Sequence, residues 1–402
     1  MVRARLEAEP AMPDIPPFFF NSARRIAFEP GASVRLAALA PELGPRVLVV
    51  TDEGLVGLGL PEAALASLRD EGAEVSVFYD VEADPSRATV MKALDAARTL
   101  DATGIVGFGG GSSLDVAKVV ALLAGSGEGL DDAFGVNNAR GPRLPLALVP
   151  TTAGTGSEVT AVAIITVEDD VKMGVVSPHI LPDVAVLDPD LTLGLPAHIT
   201  AATGVDAMVH AIEAYASKSA NNNPLSRTLA VEALRQLGPN IERAVSEPGD
   251  REARGAMLLG SMLAGMAFAN SPVAAVHALA YPIGGIFHVP HGLSNALVLP
   301  HVLRFNAAER SNGSAALYAE LAPHAFPQLP ELASQARCDA FIERLASLSA
   351  DLGLETRLRE VGVAQTDLPR MARDAMLQTR LLVNNPRALD EADALAIYEA
   401  AF

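Results

Sequence analysis

The chain has 402 residues, half of them apolar, enough for two hydrophobic cores rather than one. Its 30 basic and 48 acidic side chains give a formal charge of −18, which excludes nucleic acid and anionic membranes as main partners. The single cysteine, Cys338, rules out an internal disulfide or a cysteine metal cage and fits a reducing cytoplasm, and the absence of tryptophan disfavours a base-stacking surface.

No Asp, Glu, Lys or Arg lies between Arg254 and Arg304. The longest nearly pure apolar piece of that run, Gly255 to Ala269, falls short of the ~20 residues a membrane-spanning helix needs, and Asn270-Ser271-Pro272 interrupts it. The run is therefore expected as buried helix. Glu7, Glu9 and Pro10 break any apolar core that a signal peptide would need. The Pro-rich first ~20 residues are expected as an arm on the surface or on a partner subunit.

In chain order, Arg46 to Thr51 reads as a buried strand, Glu62 to Arg69 as a helix and Glu74 to Tyr79 as a second strand. A helix over Ser86 to Leu100, a strand over Gly104 to Phe108, a helix over Leu114 to Leu123 and a strand over Pro145 to Val149 follow. This alternation predicts a parallel sheet covered by helices. Ala161 to Val167 and Lys172 to Ser177, joined by Glu168-Asp169-Asp170, read as a hairpin, and Val184 to Leu187 as a last short strand. From about Pro196 to Phe402 the apolar spacing is helical throughout. The boundary is placed near residue 193, with an α/β domain over residues 1–193 and an all-helical domain over residues 194–402.

Two polar loops follow predicted parallel strands. Gly107-Phe108-Gly109-Gly110-Gly111-Ser112-Ser113-Leu114-Asp115 leads from strand to helix, where backbone N–H groups can meet a phosphate and Ser112 or Ser113 can cap the helix. Its spacing matches neither GxGxxG nor GxxxxGK[ST], so a plain turn and a phosphate cradle fit it equally. Pro150-Thr151-Thr152-Ala153-Gly154-Thr155-Gly156-Ser157-Glu158 places four hydroxyls at the carboxyl end of the next strand, where open α/β sheets bind ligands. Two such loops favour a bound nucleotide. Asp52, just after the first strand, can accept from ribose hydroxyls and would repel a 2′-phosphate, which favours NAD over NADP; it can also simply cap the next helix.

Four of the eight histidines fall between His277 and His301. Asp206 and His210 stand one helical turn apart on one face, a pattern that serves a metal or an ordinary Asp–His hydrogen bond. Together with His277 and His291 they would make an Asp/His₃ site suited to Fe²⁺ or Zn²⁺, with a formal charge of +1 on the loaded site.

These pieces together resemble the iron-containing (group III) alcohol dehydrogenase family from Phe18 onwards. The resemblance rests on Gly109-Gly110-Gly111-Ser112 with Asp115 and Lys118, on Pro150-Thr151-Thr152-Ala153-Gly154-Thr155, on Gly204-Val205-Asp206-Ala207 with His210, and on His277 with Pro290-His291-Gly292. It implies a Rossmann-like α/β dinucleotide-binding domain and an all-α domain in a dehydroquinate-synthase-like architecture, with the site between them. It implies Asp206, His210, His277 and His291 as metal ligands. It also implies Asp52, Gly110, Gly111, Ser112, Asp115, Thr151, Thr152, Thr155 and Lys172 as cofactor contacts. The activity implied is NAD(P)-linked interconversion of an alcohol and its aldehyde or ketone, usually in a homodimer or larger homo-oligomer. Two departures stand out: Tyr281 occupies a position where many members have a further histidine, and Asp84-Pro85 replaces a common Asn-Pro.

On this basis a divalent ion would lower the pKa of the substrate alcohol while the nicotinamide takes the hydride. Tyr281 and His288 are candidates to relay the proton or to line the pocket. Dehydroquinate-synthase-like and maleylacetate-reductase-like chemistry would each need cations to hold anionic substrates, and the charge-free run supplies none, so an uncharged alcohol is favoured. A non-catalytic nucleotide-binding assembly protein would not need the complete ligand set.

Overall fold

The computed structural model describes residues 15–168, 171–309, 311 and 313–402. The strands are β1 (Arg25–Phe28), β2 (Arg46–Val50), β3 (Glu74–Phe78), β4 (Gly104–Gly109), β5 (Gly135–Val136), β6 (Leu146–Pro150), β7 (Val162–Thr166), β8 (Lys172–Val176) and β9 (Val184–Leu187). Six of them form a parallel sheet in the order β1-β9-β6-β4-β2-β3. Helices cover both faces, so the inner strands β2, β4, β6 and β9 are apolar on both sides and read as continuous runs. Leu48, Val50, Ile105 and Leu148 point to one core, whereas Val47, Val49, Val106 and Phe108 point to the other. The order reverses beside β2: β3 lies on one side and β4 on the other, which puts the end of β4 at a topological switch point.

The expected strands and helices are present to within a few residues. Two strands have no signal in the sequence. β1 is a short edge strand whose residues are mostly exposed, so no apolar run marks it, and β5 has only two residues. The hairpin pairs β7 with β8 in antiparallel register, Val162 opposite Val176 and Thr166 opposite Lys172. Asp169 and Asp170 of its expected turn lie outside the described residues, as do residues 1–14 of the expected arm. The arm's remainder crosses to the helical half. Phe19 exchanges hydrogen bonds with the Asn221 side chain, and Asn21 with that of Asn270.

The last strand ends at Leu187, and the first long helix, Ala197–Ala216, opens an all-helical half with one large core. The charge-free run forms the helices Arg251–Asn270 and Ala275–Phe287 and most of His291–Ala308. Among the described residues no single helix is long and apolar enough to cross a membrane; the first two of these bend by 107° at Ser271–Ala274 and pack into the core.

Two close backbone approaches join these parts. Gly156, at φ +58°, lies against Gly265 of the Arg251–Asn270 helix, and a Cβ on Gly265 would stand 2.8 Å from the Gly156 Cα. Gly292, in the first turn of the His291–Ala308 helix, is pressed on Ala202, where a Cβ would meet the carbonyl oxygen at 2.4 Å. Gly265→Ala should therefore cost roughly 1–3 kcal/mol of stability, the usual penalty of overpacking, read from urea unfolding.

Candidate metal and cofactor site

The Ala197–Ala216 helix presents Asp206 and His210 one turn apart, and both are buried. His277 comes from the first turn of the Ala275–Phe287 helix, and His291 from the N-terminus of the next. The tertiary fold brings one donor atom from each to within 4.8 Å of the others. The rings of His210 and His277 stack at 4.7 Å, and those of His277 and His291 tilt at 5.4 Å. Burial, aided by the His277 imidazole, pushes His210 well below the usual histidine range, and burial brings His291 to about 4. Both are thus neutral at pH 7, with lone pairs to offer.

The surrounding hydrogen bonds decide which nitrogen is free. His210 Nδ1 lies 3.2 Å from the Gly154 carbonyl oxygen, which can only accept, so Nδ1 carries the proton and Nε2 keeps its lone pair. His277 Nδ1 lies 2.7 Å from a Glu213 carboxylate oxygen, whose partner oxygen accepts from the Val276 N–H at 2.7 Å. Glu213 is buried and follows Asp206 and His210 on the same helix face, one further turn along. Asn295, fully buried, donates to Asp206 at 2.6 Å, and its Nδ2 is within 3.3 Å of Nε2 on both His277 and His291. Its amide oxygen has no hydrogen-bond partner among the described residues. Outer partners of this kind orient metal-binding histidines. Sequence reading passed over Glu213 and Asn295. The signal was available for both, since Glu213 extends the Asp206/His210 spacing and Asn295 lies four residues after His291.

The two polar loops meet over the sheet. The helix after β4 spans Gly111–Ser126 with Gly110 as its N-cap, and no side chain caps it. The expected cap by Ser112 or Ser113 is therefore absent: the N-cap position falls on a glycine, which leaves the first-turn N–H groups facing outward. Gly111 abuts Thr155, where a Cβ would come within 2.8 Å of the threonine methyl, and Gly110 faces Thr152. Thr151 donates its backbone N–H to the Gly109 carbonyl. Asp115 is held on both carboxylate oxygens, accepting from the Ser157 hydroxyl at 2.6 Å and the Ile164 N–H at 2.8 Å. Lys118, fully buried, donates to Ser157, Thr160 and the Val162 carbonyl, which ties this helix to the second loop and the hairpin. Asp52 does cap the following helix, accepting from the Leu55 N–H with one oxygen; the other makes no hydrogen bond among the described residues.

A cavity joins the loops to the histidines. Gly111, Ser112, Asp115, Thr155 and Lys172 line one part, and His210, His277, Tyr281 and His291 another. Asp84 and Lys172 form an ion pair at its edge. Tyr281 lies 6.2 Å from His291 between ring centroids, and burial raises its hydroxyl above the usual range, against the pull of the nearby Arg380 guanidinium. His288, expected to relay a proton or line the pocket, caps the Ala275–Phe287 helix in the left-handed region at φ 56°, is exposed, and is not among the residues lining this cavity. Arg380 does line it, and no motif in the sequence pointed there.

Residues 23–189 match the model of iron-containing alcohol dehydrogenase, and residues 200–402 match the C-terminal model of the Fe-containing alcohol dehydrogenase family. The chain belongs to the iron-containing alcohol dehydrogenase family. It is an oxidoreductase that interconverts an alcohol and its carbonyl compound with a nicotinamide cofactor. A long-chain-alcohol dehydrogenase of Geobacillus thermodenitrificans is 41% identical over 95% of this chain and 97% of its own length. A solved 1,3-propanediol oxidoreductase superposes with a TM-score of 0.91 at 36% identity, covering 96% of this chain and all of that one. A sulfoacetaldehyde reductase of Bifidobacterium kashiwanohense, solved with NAD⁺, superposes at 0.83 and 28% identity over 96% and 98% of the two chains.

Two outcomes follow for this alcohol dehydrogenase. Glu213→Gln should weaken Zn²⁺ or Fe²⁺ affinity by roughly 10- to 100-fold in a chelator competition titration, because the amide no longer fixes His277 as an Nδ1–H donor. Burial also pushes the Glu158 carboxyl, buried with one oxygen unpartnered, up to about 7 from 4.5. A carboxyl raised on folding contributes stability below pH 4.5 and loses it as pH climbs to about 7. Glu158→Gln should flatten that part of the stability–pH curve in urea unfolding.

Proposed function

We propose that Asp206, His210, His277 and His291 hold Fe²⁺ or Zn²⁺, and that the adjoining cavity binds NAD and a small uncharged alcohol or aldehyde. The observation that carries this is the convergence of four ligating atoms, three of them on imidazoles that line the same cavity as the glycine and threonine loops. The donor set of one carboxylate and three nitrogens suits either ion, and the Nδ1 contacts of His210 and His277 leave Nε2 available. When bound, the ion supplies Lewis acidity that lowers the pKa of the substrate alcohol and stabilises charge on its oxygen.

The protein's own groups do the rest. The uncapped N–H groups after Gly110, with Gly111 and Ser112, bind the pyrophosphate, drawing on the helix N-terminus. Thr151, Thr152 and Thr155 hold the nicotinamide half beside the histidines, and Asp115, itself immobilised, shapes the floor. The free oxygen of Asp52 takes the adenosine ribose and repels a 2′-phosphate, in keeping with the NAD⁺ found in the solved sulfoacetaldehyde reductase. Lys172, paired with Asp84, closes the ribose side. Tyr281 holds a proton-carrying hydroxyl on the cavity wall near His291 and is the candidate for proton relay. An uncharged substrate is supported by the charge-free run around His277 and His291 and by the neutralisation of Lys172.

Residues 1–193 and 194–402 form the dinucleotide-binding and metal-binding domains. A homodimer or larger assembly in the cytoplasm completes the proposal, supported by the exposed Ile26 and Phe28 on edge strand β1.

Metal analysis of the purified protein, followed by NAD⁺ reduction over alcohols of graded length, should find about one divalent ion per chain and steady NADH formation. His277→Ala should lose the bound ion and turnover together; a variant that kept both would overturn the ligand assignment. Asp52→Gly should raise NADP⁺ use relative to NAD⁺, measured as the ratio of the two kcat/KM values.

A further inference from the structure

Tyr281 stands one helical turn after His277 on the Ala275–Phe287 helix, so both share a face, and both line the cavity. Its ring lies 6.2 Å from that of His291 between centroids. Charged side chains from three other elements reach its hydroxyl. The Arg380 guanidinium lies beside it, and the carboxylates of Asp115 and Asp206 act on it from the Gly111–Ser126 and Ala197–Ala216 helices. Arg380 belongs to the short helix Thr379–Leu382 and lines the same cavity. Its backbone is pinned there: the buried Asn384 amide donates to the carbonyls of Arg380 and Val273, each at 3.1 Å, and Val273 is itself part of the cavity wall. Arg380 is exposed, so its charge keeps its hydration.

These neighbours give the Tyr281 hydroxyl a direction. A guanidinium offers only donors and an ionised carboxylate only acceptors, whereas a phenol has one proton to give and lone pairs to receive with. Beside Arg380 the oxygen turns its lone pairs to the cation, and the proton turns toward the carboxylates. Neither carboxylate takes it. Asp115 already accepts from the Ser157 hydroxyl and the Ile164 N–H, Asp206 accepts from Asn295, and among the described residues Tyr281 forms no hydrogen bond to either. The proton is left for whatever fills the space between the glycine-loop helix and the histidine cluster. We propose that Arg380 is a positioning residue that turns the Tyr281 hydroxyl into the cavity, where it donates a hydrogen bond to the reacting oxygen of the substrate. The role rests on the function proposed above. Such a bond strengthens as that oxygen gains negative charge during carbonyl reduction, so it favours the transition state over the bound aldehyde.

The test uses the metal-loaded enzyme with NADH and butanamide, an unreactive carbonyl compound of the shape of butanal, whose binding is read from the change in NADH fluorescence. Tyr281→Phe and Arg380→Leu should each weaken butanamide binding by about 3- to 10-fold, the range of one lost hydrogen bond. The double variant should bind no more weakly than Tyr281→Phe alone, because both changes remove the same contact. Arg380→Lys should recover most of the affinity. In butanal reduction the two single variants should lower kcat more than they raise KM. Metal content and NADH affinity should be unchanged throughout. Losses that multiply in the double variant would overturn the role, as would Arg380→Leu binding butanamide at full strength or a kinetic loss carried by KM alone. Loss of metal or of NADH binding in Arg380→Leu would make the arginine a support of the fold and overturn it too. A metal-loaded wild-type enzyme that neither binds butanamide nor reduces butanal would instead overturn the functional reading, and this role with it.

Discussion

The contact of Gly156 with Gly265 seats the threonine loop of the sheet directly on a helix of the other half, backbone against backbone. Side chains at either position would hold the two halves apart. The carbonyl of Gly154, in the same loop, receives the Nδ1–H of His210. One loop therefore lines the cavity with Thr155 and Ser157 and at the same time fixes the tautomer of a candidate ligand. The Gly292 contact with Ala202 repeats the principle on the other side, setting His291 next to Asp206. The site depends on atoms from opposite halves of the chain reaching van der Waals contact where only glycine allows it.

Within that frame the buried polar groups form a nearly closed set. Glu213, Asn295 and the Gly154 carbonyl each engage a candidate ligand, and in this shell the Asn295 amide oxygen has no hydrogen-bond partner among the described residues. A carboxylate, three imidazoles and an amide gathered in an apolar core would be costly if they stabilised nothing. Their arrangement, with the Nδ1 atoms of His210 and His277 engaged by Gly154 and Glu213, suits a divalent cation. On the side of the glycine loop, Lys118 and Asp115 perform an analogous service. They hold the glycine-loop helix, the threonine loop and the hairpin together, so the first-turn N–H groups stay open while the rest of the region is hydrogen-bonded.

The positions where this chain departs from its family lie along the cavity. Asp84, in place of the common asparagine, brings a negative charge to Lys172 and neutralises it. Tyr281, in place of a histidine, is accompanied by Arg380 rather than by another titrating ring. The cavity thus carries one internal ion pair and one hydroxyl beside a guanidinium. Both changes alter the character of the cavity while leaving the ligand set intact.

The sequence by itself determined the parallel strands, the hairpin, the helical second half and the Asp206/His210 pair, because each is written in local periodicity or in spacing along one element. Continuous apolar runs mark strands buried on both faces, and residues one helical turn apart share a face wherever the helix goes. It also carried the family motifs, which brought His277 and His291 into the ligand set before their positions were known. Edge strand β1 escaped notice because an exposed strand leaves no apolar run. Only the tertiary structure decided that His288 ends a helix rather than lining this cavity, that Gly110 and not a serine caps the glycine-loop helix, and that Glu213 and Asn295 complete the polar shell. It alone placed Arg380, from near the end of the chain, opposite a stretch that has no charge of its own. The reason is physical: sequence spacing constrains neighbours within one element, whereas a cavity is lined by whichever surfaces the packing of separate elements brings face to face.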